Sequence, residues 1–397
     1  MKTLHISAAK NVHSGGIKDL IEKLSRPALL LIDVEPNVEA VLWDKLWDFI
    51  NLKSISQKGL DVSEVGNTWV SSLVNTEALR PFSDEETGDI VRPGTFFDVL
   101  MKQTSLNGRG WAVPWTADTR AVYYRRSALK AAGVDEDGAF STIENVEETM
   151  KRLLAVGRNG WATPTFSNHN TIYLMAPWIW AEGGDFVSRD KKRTAFCEPP
   201  AVRGMLAYFN LAKFAPHEFQ SYDDVTSAFK SNQVAAMVDG PWIWSDLHKD
   251  MSVVIDLNDI GVAPPPGPAF AGGSSLVIWR HAGDKTDAAL SLVKLLSTPG
   301  IQSKINKAKR LLPVRQESFL IPPYSTDPVY RVFMNALQTG RHMPTIPMWA
   351  PMESSLLKAF GLIRGVAKHN AFQVTESDLL RYLEPLAKRF DNMLSIF

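Results

Sequence analysis

Residues 229–244 read FKSNQVAAMVDGPWIW and place a helix end, a short apolar strand and a new helix start side by side. Asp224 to Ser231 has helical spacing with Val225 and Phe229 on one face, and Asn232 supplies the left-handed residue that ends the helix. VAAMV then reads as a buried strand, and Asp239 and Gly240 form the turn at its carboxyl end. Pro241 fits the first turn of the next helix, where its missing N–H is not needed. Helix, buried strand and helix in immediate succession are the unit of a doubly wound α/β sheet, whose ligands bind beyond the carboxyl ends of the strands. Trp242 stands at such an end. Trp242 and Trp244 point about 200° apart around the helix axis, so one is expected to reach a cleft while the other packs in the core. From the residues alone, two core tryptophans stand beside the cleft reading, in which Trp242, directly behind the Gly-Pro turn, is the ring that reaches the cleft. A flat apolar ring with polar neighbours suits the C–H face of a sugar.

The amino-terminal part shows the same alternation. Leu4, Ile6 and Ala8 alternate as in a strand, a helix is expected from about Gly16 to Leu24 ahead of Pro27, and ALLLIDV (28–34) is a continuous apolar run suited to a parallel strand buried on both faces. Val38, Val41, Leu42, Leu46, Phe49 and Ile50 then recur at helical spacing, before a third strand around LDVSEVG (60–66). This βαβαβ order predicts an open, doubly wound parallel sheet. The loops KNVHSGG, EPN and GNTW follow its three strands, so Asn11, Glu35, Asn67, Thr68 and Trp69 are expected to face one crevice.

Further on, residues 108–134 give two extended pieces around Pro114 and a helix ended by Gly133, and a long helix is expected from Ile143 to Gly157. A second Pro/Gly-rich crossing, GVAPPPGPAFAGGSSLVIW (261–279), returns to β pattern. Trp178 and Trp180 read as core residues of a helix. No fixed-period repeat occurs.

At 397 residues and 45% hydrophobic content the chain is too long for one small core, and two lobes are expected. Forty-three basic residues balance forty-three acidic ones without a run of either sign, which argues against nucleic acid or an anionic membrane as partner. The single cysteine, Cys197, excludes an internal disulfide and a thiolate-built metal site, and is expected to be a buried, inert thiol. MKTLHISAAKNVHSGG has no apolar run followed by a cleavage site, and ALLLIDV is too short to span a bilayer, so a soluble chain is expected. Walker-type, HExxH and GxSxG motifs are absent, and neither a cofactor nor a metal is called for.

SAFKSNQVAAMVDGPWIW (227–244) resembles the signature of extracellular solute-binding proteins of ABC transporters, family 1, the sugar-binding group similar to maltose-binding protein. Asn232 stands where that family usually has Gly, and keeps the helix-ending role. Five more segments agree in order: DVSEVGNTWVSSLVNTEALRPF (61–82), WAVPWTADTRAVYYRRSALKAAGV (111–134), PPGPAFAGGSSLVIW (265–279), AALSLVKLLSTPGIQSKINKAKRLLPVR (288–315) and MPTIPMWAPMESSLLKAF (343–360). The family normally begins with a secretory or lipoprotein leader, and none is visible in residues 1–16.

The resemblance implies a type II periplasmic-binding-protein fold, with a ligand cleft between two α/β lobes. The lobes are placed at 1–115 with 267–315 and at 116–266 with 316–397, and the crossings near Pro114 to Asp118, Pro264 to Phe270 and Leu312 to Gln316. It further implies a monomer outside the cytoplasm that captures a mono- or oligosaccharide without turnover and delivers it to ABC permease subunits. Twelve tryptophans favour sugar over an amino acid or inorganic anion. Trp69 and Trp242, with Trp349 third, are the expected platforms. Polar contacts are expected from Asn11, Glu35, Asn67, Thr68, Asp118 and Thr119, from Asn168, His169, Tyr173, Asp239 and Glu353, and from the backbone amides of Gly272, Gly273 and Ser274. Two alternatives stand beside this reading. One is a glycoside hydrolase using a pair among Glu35, Asp118, Asp239 and Glu353, and the other is a cytosolic ligand-sensing protein of the same fold.

Overall fold

The structure, a computed structural model, describes residues 1–10, 16–56, 58–92, 94–162, 164, 169–215, 219, 221–249, 255–368 and 373–396. The chain divides into two compact units, one built from Met1–Thr119, Ala271–Gln338 and Thr345–Trp349, the other from Arg120–Phe270, Thr339–Pro344 and Ala350–Phe397. The strands of the two main sheets are β1 (Lys2–Lys10), β2 (Val34–Leu42), β3 (Val62–Gly66), β4 (Val113–Thr119), β5 (Ala121–Arg125), β6 (Trp161–Ala162), β7 (Ala236–Asp239), β8 (Ile260–Ala263) and β9 (Ala271–Ile278). The helices that matter below are α1 (Ile17–Leu30), α2 (Trp43–Ser56), α3 (His169–Ala181), α4 (Tyr222–Lys230), α5 (Trp242–Lys249), α6 (Pro299–Lys309) and α7 (Trp349–Lys368).

In the first unit the strand order is β2-β1-β3-β9-β4. Strand β1 runs parallel to β2 and β3, whereas β9 is antiparallel to both β3 and β4, so the sheet is mixed and not wholly parallel. Parallel neighbours need a crossover connection, and β9 instead follows directly on Phe270 of the other unit.

ALLLIDV is not a strand. Helix α1 continues through Pro27 to Leu30 and β2 begins only at Val34, leaving Leu31 88% exposed. Ile17, Ile21, Ser25 and Leu29 repeat every fourth residue and are buried, a helical stripe that a short apolar run at its end could not reveal. Pro27 is exposed, so water can reach the carbonyl that its missing N–H leaves unbonded. Consequently EPN opens β2 instead of following it, with Thr3 opposite Glu35, and the next helix starts at Trp43. Because β2 is an edge strand, Pro36 removes no ladder bond there, and the neighbouring outward N–H of Val38 donates to the Glu22 carboxylate at 3.2 Å.

The second unit holds the sheet β8-β5-β7-β6, with β5 antiparallel to β8 and β7, and β6 parallel to β7. Residues 224–244 follow the expected order of helix, strand and helix, with the strand confined to Ala236–Asp239. Ser221 and Asp224 form a reciprocal cap on α4, Asn232 takes a left-handed φ of 60°, and α5 starts at Trp242 just past β7. Gly133, at φ 65°, follows the helix Arg126–Ala131, and Trp178 and Trp180 are buried. Residues 316–338, expected in the second lobe, pack with the first unit. The Gln316 N–H donates to the Thr95 carbonyl at 2.8 Å, and the Phe319 ring meets Phe97 edge-on at 5.6 Å.

Candidate functional site

In the first unit, β3 ends at Gly66 and the chain passes at once into the single turn Asn67–Trp69. The Asn67 side-chain oxygen accepts from Ser275 Oγ at 2.6 Å, Thr68 is buried, and Trp69 is 9% exposed. The Trp69 ring stacks on Trp43 at 5.2 Å and 26°, with Trp47 tilted against it at 5.3 Å. Both partners were missed in the sequence. With ALLLIDV taken as the second strand, the true strand end at Leu42 fell inside an expected helix, and the tryptophan behind it gave no signal.

Beneath this edge lies a buried ion pair. Glu64 on β3 accepts from the Ala9 N–H and from Ser274 Oγ, each at 2.6 Å, and pairs with Lys309 from α6. The ammonium also lies 4.6 Å from the Trp115 ring, and burial lowers the Lys309 pKa against the pull of Glu64. Ser274 is thereby committed to Glu64 and sits between β3 and β4, so its amide belongs to an interior strand and not to a loop. Gly272 and Gly273 pair with β4 alone, opposite Asp118 and Ala117, and Thr119 closes that strand. Glu35 is corrected. It lies at the amino end of β2, opposite the end where doubly wound sheets bind ligands, and its carboxylate pairs with Arg26. Trp349 is fully buried.

In the second unit the aromatic residues gather around Arg120, which no local motif singled out. Arg120 is 1% exposed, and its guanidinium lies 4.9 Å from the Trp242 ring, 5.5 Å from Phe270 and 5.8 Å from Tyr173. Nη2 donates to Asn170 Oδ1 at 2.8 Å, while Tyr173 stacks on Phe270 at 4.4 Å. Tyr173 also hydrogen-bonds Glu353. Glu353 is 6% exposed, and burial pushes its pKa up to about 7 although the bond from Tyr173 pulls the other way. Its Oε1 has no hydrogen-bond partner among the described residues.

Asp239 ends β7 buried, accepting the Gly240 N–H at 2.7 Å, and the Tyr123 hydroxyl donates to the Gly240 carbonyl at 2.7 Å. Trp242 is half-buried, while Trp244 is buried with its ring edge-on to His248 at 4.7 Å. Asn11 and Asn168 lie outside the described residues, and His169 opens α3 with its side chain likewise outside them. No group of three or more His, Cys, Asp or Glu able to hold a metal occurs among the described residues. Each unit thus offers aromatic rings at a strand's carboxyl end, with buried polar groups behind them.

A family model described as bacterial extracellular solute-binding protein matches residues 32–331. The chain belongs to that family. This solute-binding protein is 21% identical over 344 residues to a binding protein of Brucella abortus (strain 2308), covering 83% of this chain and 81% of that one. It is 25% identical over 198 residues to an amino-acid ABC transporter periplasmic-binding protein of Sinorhizobium fredii, covering 49% of this chain and 45% of that one. The solved structure of the sugar-binding protein MalE from Xanthomonas citri superposes with a TM-score of 0.82 at 20% identity, over 99% of this chain and 98% of that one. The fold of this solute-binding protein is therefore that of the MalE-type binding proteins.

Proposed function

We propose that this solute-binding protein captures a neutral mono- or oligosaccharide outside the cytoplasm, as a monomer, and hands it unchanged to an ABC permease. The observation that carries the reading is Trp242: a half-buried indole at the carboxyl end of β7, backed by Arg120 and linked through Tyr173 to Glu353. A ring face beside a hydrogen-bonding carboxyl is what an uncharged, hydroxyl-rich solute requires. Trp69 with Trp43 is the matching platform of the first unit. Asn67, Thr68, Asp118, Thr119, Gly272 and Gly273 are its polar surroundings, and Tyr173, Asp239 and Glu353 those of the second unit. The Xanthomonas citri protein of the same fold is a sugar-binding protein, which supports this class. The Sinorhizobium fredii relative favours a second reading, an amino-acid ligand.

A melting screen of sugars and amino acids separates the two. A true ligand at about 100 times its Kd adds roughly 2.7 kcal/mol of stability. Stabilisation by amino acids alone overturns the saccharide reading, and release of a cleavage product that depends on Glu353 overturns binding without turnover. Trp242→Ala is expected to weaken saccharide binding by about 1–3 kcal/mol with the fold retained, read by calorimetric titration and a denaturant melt. Unchanged affinity with early melting would mean that Trp242 is a packing residue.

A further inference from the structure

Most glycines whose role is evident here answer a backbone demand, as Gly133 does with its left-handed φ of 65°. Two do not. Gly66 has an ordinary extended backbone at φ −61° and ψ 139°, and Gly240 is not among the residues with positive φ. What excludes a side chain at each is a tryptophan two or three residues further on. A Cβ on Gly240 would fall 2.2, 2.3 and 2.6 Å from Cζ3, Cη2 and Cε3 of Trp242. A Cβ on Gly66 would fall 3.0, 3.1 and 3.3 Å from Cδ2, Cε2 and Cε3 of Trp69. Both glycines stand at the carboxyl end of a strand, β7 and β3, one in each unit. The bare backbone is therefore the seat on which the indole rests, and Arg120 holds the Trp242 ring from its own position 4.9 Å away. Gly261 makes a similar fit under Tyr124, but there the two are cross-strand partners of β8 and β5 and the tyrosine is buried, so only the sheet gains.

We propose that Gly240, and to a smaller degree Gly66, are positioning residues for solute binding: each sets where its tryptophan presents a ring to the ligand, and neither touches the ligand itself. The proposal rests on the saccharide reading above. An alanine at 240 cannot coexist with the ring where it lies, so the indole must swing away. At 66 a shift of a few tenths of an ångström accommodates the methyl. Gly240→Ala is thus expected to lose more affinity than Gly66→Ala, roughly tenfold or more against about twofold to threefold, the larger loss matching removal of one platform contact.

The test is a cycle of Gly240→Ala, Trp242→Ala and the double variant, followed by near-ultraviolet circular dichroism, acrylamide quenching of tryptophan emission, and titration with maltose. If Gly240 acts through the ring, Gly240→Ala changes the spectra and the maltose affinity in the parent and neither in the Trp242→Ala background. Equal losses in both backgrounds, or an unchanged tryptophan signal in Gly240→Ala, overturn the proposal, since a weakened strand end alone would give those results. A parent protein that ignores maltose speaks against the saccharide reading, and the spectroscopic half of the cycle, which needs no ligand, then decides the role of Gly240.

Discussion

Lys309→Met is expected to destabilise the first unit by about 3–5 kcal/mol, the usual cost of leaving one member of a buried pair behind. Lys309 is 2% exposed, and its loss strands the Glu64 carboxylate beneath the sheet. The bonds from the Ala9 N–H and Ser274 Oγ remain, but the opposite charge does not. Chemical denaturation should report the loss. Combining the change with Glu64→Gln should recover most of it, because a neutral amide can keep a donor and no charge is left buried. A single variant as stable as the parent would mean that water reaches the Glu64 carboxylate.

The second large effect is a pH dependence set by Glu353. Burial raises its pKa from 4.5 to about 7, so between those values the folded state holds a proton that the unfolded chain has released. Stability is therefore fully present below about 4.5, falls as pH rises through 7, and is constant beyond. A shift of this size corresponds to roughly 3 kcal/mol. Glu353→Gln, a neutral isostere, should match the parent in acid and exceed it above neutrality by up to that amount. Melts of both proteins from pH 4 to 9, a span chosen to bracket the titration at about 7, should converge at the acid end. Parallel curves would show that Glu353 is ionised throughout and bonded in some other way. The same substitution probes binding, because a solute that donates a hydroxyl to Oε1 prefers the carboxylate.

How much of this was legible in the sequence differs between segments, for physical reasons. Residues 224–244 carry agreeing local cues: a left-handed Asn232, a short apolar strand and a proline at a helix start. Each is a nearest-neighbour preference, so the string alone predicts the path. Residues 28–42 carry conflicting ones. Four apolar residues can close a helix or form a strand, and Pro27 reads as a helix stop unless it happens to face water, which only tertiary packing decides. That one slip moved Glu35 to the wrong end of its strand and hid Trp43 and Trp47. Arg120 was illegible for a different reason. Its surroundings come from positions 170, 173, 242 and 270, and no local pattern announces a residue whose partners are so distant. The two glycine seats lie between these cases: the glycine and its tryptophan are adjacent in sequence, but only the ring's position shows why a methyl group is excluded.

Strand β2 forms one rim of its sheet, and a bare rim invites a passing extended chain to add itself as a further strand. Here two successive outward positions offer no N–H to such a chain: Pro36 has none, and that of Val38 is already taken by Glu22. A newcomer would meet a gap about 7 Å long where its carbonyls found no donor, which is enough to interrupt pairing at the usual rise per residue. Pro36→Val together with Glu22→Ala would reopen the rim, so the cost of losing these two residues would appear as fibrils or oligomers on crowding and not as a lower melting point.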